Sequence, residues 1–163
     1  MRVHEWEYHR GDGVNKLDIQ LIQSDSQLWQ RTIDFARDCS WRAGPYLARR
    51  MEANSFKDWE RVIVAVDDGE IADFCTFTEK DALPEPCPYS PFIGFVFVDE
   101  GHRGHRLSER MIDRALAYAK AIGHHTVYLT SGERGLYEKY GFTAIADCDT
   151  AYGTTDRLFQ KTL

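Results

Sequence analysis

The chain has 163 residues, and its 20 Lys and Arg residues against 26 Asp and Glu residues give a net charge of −6. Its composition, 43% hydrophobic and 28% charged residues, is that of an ordinary folded protein. Its length predicts a single domain over residues 1–163. The negative charge argues against nucleic acid or an anionic membrane as a partner, because both bind basic surfaces.

The cysteines and the N-terminal segment bear on the compartment. Cys39, Cys75, Cys87 and Cys148 include no pair at the spacing of a CxxC motif and are too sparse for a disulfide scaffold. The segment MRVHEWEYHRGDG lacks the apolar core of a secretory signal, and no stretch approaches the roughly 20 apolar residues of a membrane helix. We therefore expect a cytoplasmic protein with reduced cysteines.

Strands are predicted where apolar residues alternate or run together, and helices where they recur every three or four residues. In chain order the predicted elements are a strand at 16–23, helices near 28–36 and 41–51, a hairpin of strands at 61–66 and 71–78, a Pro-rich loop at 83–91, a strand at 92–98, a helix at 104–122, a strand at 126–129, a helix at 133–140, and strands at 142–146 and 157–162. The run FIGFVFV at 92–98 is typical of a central strand buried on both faces. This order predicts a mixed α/β (α+β) fold whose sheet is parallel in its middle.

The segment FVFVDEGHRGHRLS, residues 95–108, is the most informative for function. A buried strand runs through a short loop into a long helix, whose first turn presents unpaired N–H groups and the positive end of the dipole. Arg103, His105 and Arg106 add donors, and Gly104 allows a close approach of the backbone, which favours a phosphate or pyrophosphate ligand. Neither GxxxxGK[ST] nor GxGxxG is present, and a plain strand-to-helix turn with solvated basic side chains would look similar.

Two stretches of the sequence carry recognisable motifs. Val98 ends the buried strand and is followed by Arg103, Gly104 and Leu107, and residues 136–142 read LYEKYGF. The first stretch resembles the acetyl-CoA loop of the GNAT family of N-acetyltransferases, often V-x-P-x-x-R-G-x-G-[ILV]-[GA], and the second is similar to that family's other signature, LYxKxGF. One helix and one strand separate the two motifs, as in the family. The resemblance is sharpest over 92–142 and implies a sheet of six to seven strands flanked by about four helices.

The resemblance also implies where acetyl-CoA binds, without a metal. The pantetheine arm would pair with the strand end, and the pyrophosphate would lie at the helix start. The implied binding residues are Phe97, Val98, Arg103, Gly104, His105, Arg106, Leu107 and Ser108. Arg106 stands where the family usually has its second glycine, so it either obstructs the loop or pairs with a phosphate, and we favour the pairing.

The implied reaction is direct attack of an amine on the acetyl group. By resemblance, Tyr137 is the general acid that protonates the departing thiolate, and its phenol, with an ordinary pKa of about 10, suits that role. The general base is left open among four carboxylates and a water chain; the four carboxylates belong to Glu79, Asp81, Asp99 and Glu100. Trp41, Arg42 and Tyr46 are candidates for the acceptor wall, with ordinary helix packing as the alternative.

The sequence thus predicts an acetyl-CoA-dependent N-acetyltransferase acting on a primary amine of a small molecule or protein. The alternative is a non-catalytic acyl-CoA-binding or regulatory domain of the same fold. The expected partners are acetyl-CoA and an unidentified amine, with neither nucleic acid nor membrane, and a homodimer is left open.

Overall fold

The computed structural model describes residues 2–10, 13–98 and 106–163, and side chains from residue 17 onward within these ranges. The strands are β1 (Arg2–Arg10), β2 (Gly13–Ile22), β3 (Arg61–Asp67), β4 (Glu70–Thr78), β5 (Phe92–Val98), β6 (Thr126–Ser131), β7 (Thr143–Asp149) and β8 (Thr155–Thr162), and the helices are α1 (Trp29–Asp38), α2 (Gly44–Glu52), α3 (Leu107–Ala121) and α4 (Leu136–Lys139). None of the described helices has both the length and the apolar character needed to cross a bilayer.

All the strands form one sheet in the order β1-β2-β3-β4-β5-β6-β8-β7. Strands β1 to β5 are antiparallel neighbours, β5 and β6 are parallel, and β6, β8 and β7 are again antiparallel. The predicted fold class, a mixed sheet that is parallel in its middle and carries four helices, is confirmed. The sheet has eight strands, one more than expected, because the polar N-terminal segment pairs with β2 as an edge strand. Its sequence carries only a short alternation, Trp6 and Tyr8 among polar residues, which is too little to predict a strand on its own.

Helices cover the two faces of the sheet. Ile63 and Ala65 of β3 pack in one apolar cluster with α3, whereas Val62 and Val64 pack in a second cluster with α1 and α2. This alternation follows from the two-residue period of a strand. Strand β5 contributes to both clusters, as its continuous apolar sequence predicts.

The central parallel pair is joined at one point. Phe92 of β5 pairs with Tyr128 of β6, and the Tyr128 N–H donates to the carbonyl of Pro91 at 2.9 Å. Beyond this point β5 continues along β4 as far as the pair Asp73 and Val98, while β6 pairs with β8 along its whole length. Since each strand follows its antiparallel neighbour, the two part and leave a cleft.

A local irregularity in β5 accompanies this divergence. Phe95 has a φ of 48°, in the left-handed region that non-glycine residues rarely adopt. The register between β4 and β5 shifts between Phe74 and Thr76, opposite this residue. A β-bulge of this kind bends a strand and redirects its side chains, so β5 curves away from β6 here.

The contact between α1 and α2 positions the loop that leads to the cleft. A Cβ on Gly44 would lie only 2.5 Å from the Sγ of Cys39 and would collide with the carbonyl of Ala36. The close approach therefore needs glycine at the start of α2. Trp41 lies in the intervening loop, so its position depends on this packing.

Gly44→Ala is expected to lower the free energy of unfolding by about 1–3 kcal/mol, the usual cost of overpacking, measured by urea denaturation. Gly132→Ala is the matched control, because a Cβ there would meet its nearest neighbour, Oδ1 of Asp156, at an ordinary 3.5 Å. Equal stability of the two variants would contradict this account of the α1–α2 contact.

Candidate active site

The parting of β5 and β6 creates a cleft of about 830 Å³, within the range of small-molecule sites. One wall is the edge of β5 with the loops after α1 and β4, and the other is the end of β6 with α4. The start of α3 and the β7–β8 connection complete it. The lining residues are Trp41, Ala43, Asp81, Ala82, Ile93, Gly94, Phe95, Val96, Val98, Arg106, Leu107, Ser108, Leu129, Thr130, Ser131, Gly132, Glu133, Leu136, Tyr137, Tyr140, Tyr152 and Asp156.

The sequence-predicted residues divide into three groups. Five of them line this cleft: Val98, Arg106, Leu107, Ser108 and Tyr137. Phe97 is buried instead in the second core, where its ring stacks on Trp41 with centroids 6.1 Å apart. Arg103, Gly104 and His105 lie outside the described residues.

The start of α3 points its free donors towards the cleft. The first intrahelical bond runs from the Arg110 N–H to the carbonyl of Arg106 at 3.1 Å, so the N–H groups of residues 107–109 have no partner inside the helix. Together with the helix dipole they favour an anion at this end. Leu107 is buried beneath, which fixes the helix against the sheet.

Arg106 has the backbone conformation of a glycine. Its φ is 56° and ψ 32°, in the left-handed region, which explains physically why the similar motif carries glycine at this position. Its side chain is exposed and forms an ion pair with Glu109 at 2.6 Å. The charge is thus already paired within the first turn of α3, so the predicted pairing with a phosphate would share the guanidinium with Glu109 or compete with this contact.

Tyr137 lies on α4 with its ring in the core. It is 6% exposed and packs on the rings of Phe142 and Phe159. Burial raises the pKa of its phenol above the usual range, with only the hydrogen bond from Ser131 acting in the opposite direction. The phenol therefore stays protonated at neutral and moderately alkaline pH, as a proton donor must.

Tyr140, directly after α4, is hydrogen-bonded at both its side chain and its backbone. Its hydroxyl and the Ser108 hydroxyl lie 2.7 Å apart, which links the end of α4 to the first turn of α3. Its carbonyl accepts a hydrogen bond from Lys161 of β8 at 2.9 Å. This tyrosine therefore ties the end of α4 to both α3 and β8.

The structure describes two of the four candidate bases, Glu79 and Asp81. The Glu79 carboxylate pairs with Lys57 at 2.5 Å outside the lining, and Asp99 and Glu100 lie outside the described residues. Asp81 lines the cleft, where burial is the main cause that raises its pKa to about 6. It is the only one of the four that the structure places in the described cleft wall.

Other residues of the cleft lining are aromatic or acidic. Trp41 lines the cleft and also packs on aromatic rings of the second core, so the structure agrees with both interpretations left open for it. Arg42 is exposed and outside the described lining. Tyr46 reaches it only through Tyr152, with ring centroids 5.9 Å apart. Sequence reasoning missed Tyr152, in the β7–β8 connection, and Asp156, in β8, because neither lies within a motif and the connection has no pattern of its own.

Solved structures with the same fold are acetyltransferases. An aminoglycoside 6′-N-acetyltransferase complexed with coenzyme A matches with a TM-score of 0.65 at 16% identity, over 88% of this chain and 96% of that one. The aminoglycoside 6′-N-acetyltransferase from Enterococcus faecium matches at 0.66 and 17%, over 88% and 96%. A GNAT-family acetyltransferase from Streptococcus pneumoniae matches at 0.66 and 16%, over 90% and 99%.

The fold is therefore that of the acetyltransferases. A sequence model of the acetyltransferase (GNAT) family matches residues 26–142, which is most of the chain, and the chain belongs to this family. No curated protein sequence gives a match. The family resemblance drawn from the two motifs is thus confirmed.

The left-handed conformation of Arg106 predicts that glycine at this position gives a more stable protein than alanine, the reverse of their usual order in a helix. Arg106→Gly should be more stable to urea than Arg106→Ala by about 1 kcal/mol, because alanine keeps the backbone strain and glycine removes it. Both variants lose the ion pair with Glu109, so the comparison isolates the backbone.

Ala117→Gly, at an exposed position in the middle of α3, is the control and should lose about 1 kcal/mol. An Arg106→Gly protein less stable than Arg106→Ala would show that the position does not favour glycine.

Proposed function

We propose that the protein is an N-acetyltransferase that transfers the acetyl group of acetyl-CoA directly to a primary amine of a small molecule or protein. The observation that carries the proposal is the cleft between β5 and β6, which brings the start of α3 and the buried hydroxyl of Tyr137 to one space. Membership of the family supports the same reaction class.

The described residues suit acetyl-CoA in two respects. Beyond Phe92 the edge of β5 that faces the cleft has no strand pairing in the described part of the chain, so an extended pantetheine arm can lie along it up to Phe97 and Val98 and use backbone hydrogen bonds as a strand would. The free N–H groups of residues 107–109 suit the pyrophosphate. Arg103, Gly104 and His105 remain predicted contacts on the sequence motif alone.

Acetyl-CoA supplies an activated acyl group, and the protein's part is to hold the reactants and move protons. In the proposed reaction the neutral amine nitrogen attacks the acetyl carbon, and the carbon–sulfur bond breaks. Tyr137 gives its hydroxyl proton to the departing thiolate. Its burial and raised pKa keep that proton in place until the thiolate forms.

The enzyme is distinguished from a non-catalytic acyl-CoA-binding domain by thiol release. Acetyl-CoA and the protein are incubated together with one amine at a time. The amines are spermidine, kanamycin A, benzylamine and a lysine-containing peptide. Calorimetry measures CoA binding in parallel. Thiol release with any of these amines, matched by mass of the acetylated product, supports the proposal. CoA binding without thiol release from any of them would favour the binding domain instead.

Tyr137→Phe is expected to lower kcat by about 10²-fold or more, because positioned proton transfer contributes about 10²–10⁴-fold. The dissociation constant for acetyl-CoA should change little, since the ring and its packing remain. No loss of wild-type activity from this phenol is expected below about pH 10, because its pKa is raised.

Tyr118→Phe is the matched control. Its hydroxyl donates to the carbonyl of Trp59 at 2.9 Å, away from the cleft lining, so this variant should lose about 1 kcal/mol of stability and keep its kcat. A Tyr137→Phe protein with full kcat would remove Tyr137 from the mechanism.

A further inference from the structure

The carboxyl group of Asp81 rests directly on the backbone of Gly94. A Cβ on Gly94 would lie 2.7 Å from the Cγ of Asp81 and 2.9 Å from its Oδ2, and it would collide with Oδ1. Contacts this short do not occur between real side chains, so Asp81 can occupy this position only because residue 94 is glycine. Gly94 immediately precedes the irregular residue Phe95, where β5 bends away from β6.

The short segment that carries Asp81 is held on both sides. Before it, the buried hydroxyl of Thr78 donates to the carbonyl of Lys80 at 2.8 Å. After it, Ala82 is buried, its carbonyl accepts a hydrogen bond from Ala151 at 2.6 Å, and its own N–H donates to the Asp81 carboxyl. The carboxyl is therefore positioned by the fold before any ligand binds.

The charges around Asp81 favour a cation in the cleft. The carboxylates of Glu133 and Asp156 line the same space, and Arg106, at the helix start, is the only Lys or Arg among the described lining residues. The groups that act on the carboxyl are the Ala82 N–H, Arg50 of α2 and Asp156 of β8. The Tyr152 hydroxyl lies close enough for Asp81 to raise its pKa.

The ionisation of Asp81 fits contact with an ammonium group. Burial, and after it the neighbouring Asp156, raise its pKa to about 6 although Ala82 and Arg50 act to lower it. It is thus mostly a carboxylate at pH 7, yet a better proton acceptor than a solvated carboxylate with a pKa near 3.9. An aliphatic amine, with a pKa of about 10.4, is an ammonium ion at the same pH.

We propose that Asp81 binds the ammonium form of the acceptor and accepts the proton that the acceptor must lose before it attacks the thioester. This inference rests on the proposed function and adds the residue that was left open there, together with a substrate class. The acceptor is an aliphatic, cationic amine rather than a weakly basic aromatic amine.

Every proton of the reaction is accounted for when Asp81 is the general base. The ammonium gives one proton to the Asp81 carboxylate, and the freed lone pair forms the bond to the acetyl carbon. The carbon–sulfur bond then breaks, and the thiolate takes a proton from Tyr137. The nitrogen loses its second proton as the amide forms, which restores the Tyr137 hydroxyl, and Asp81 releases its proton to solvent. Ammonium and thioester become amide, thiol and one proton.

The test compares Asp81→Asn with the control variant Glu79→Gln. Glu79 is two residues away, and its carboxylate pairs with Lys57 outside the cleft lining. Thiol release from saturating acetyl-CoA is measured for both variants and the wild type between pH 5 and 9. The acceptors are spermidine, kanamycin A and benzylamine, and calorimetry gives the dissociation constant for CoA.

The wild type is expected to show kcat/KM that rises to a plateau above about pH 6 and stays level towards the pKa of the amine, since carboxylate and ammonium are then both present. Asp81→Asn should lose about 10²-fold or more at pH 7. Its residual kcat/KM should increase about tenfold per pH unit, because only the neutral amine can then react. Glu79→Gln should follow the wild type, and CoA affinity should be the same in all three.

A second variant tests the position of the carboxyl rather than its presence. Gly94→Ala should displace Asp81 and give the same pH profile as Asp81→Asn. The double variant should lose no more than either single variant, because both remove one interaction. Circular dichroism and CoA affinity check that each variant is folded.

If the wild type releases thiol, two results would overturn the assignment of Asp81 and leave the proposed function standing. One is an Asp81→Asn protein that keeps the plateau and a kcat/KM within about threefold of the wild type, well short of the expected loss. The other is an equal loss in Glu79→Gln, which would point to the loop as a whole. Absence of thiol release by the wild type with every amine would overturn the proposed function, and the assignment with it.

Discussion

The cleft depends on how weakly the two central strands are joined. β5 and β6 share one residue pair, Phe92 with Tyr128, whereas β4 holds β5 and β8 holds β6 through long antiparallel ladders. Each strand follows the twist of its own partner, so the sheet opens where the parallel pairing ends. Antiparallel ladders are also slightly more stable per residue than parallel ones, and the opening falls at the one parallel junction.

The opening separates two chemically different walls. On the β6 side, Tyr137 is buried among aromatic rings, and its proton is held tightly. On the β5 side, Asp81 lies against Gly94 among acidic and aromatic neighbours. Burial raises the pKa of both groups, so at neutral pH the Tyr137 phenol keeps its proton while the Asp81 carboxyl is mostly ionised. The bond between Ser108 and Tyr140 ties the end of α4 to the start of α3.

Most elements were predictable because they follow local periodicity. The continuous apolar run of β5 predicted burial on both faces, and β5 contributes to both apolar clusters. The apolar stripe of α3 predicted one buried face, and that face packs in the first cluster. The helix boundary was less predictable: α3 begins at Leu107 rather than near Gly104, because its first residue is set by the left-handed Arg106. Strand β1 was missed because its sequence is mostly polar, and the alternation of Trp6 and Tyr8 with polar residues is too short to predict a strand on its own.

The sequence by itself determined the family and the order of the elements from β2 onward, since the two motifs are contiguous stretches and those elements follow local patterns. Only the tertiary structure shows that Asp81, rather than Glu79, lies in the described cleft wall. Its distinction is a contact with Gly94, 13 residues away in sequence, that exists because β4 and β5 pair and β5 lacks a side chain at that point. Such a contact depends on the register of two strands, and register is a property of the folded sheet that no local pattern records.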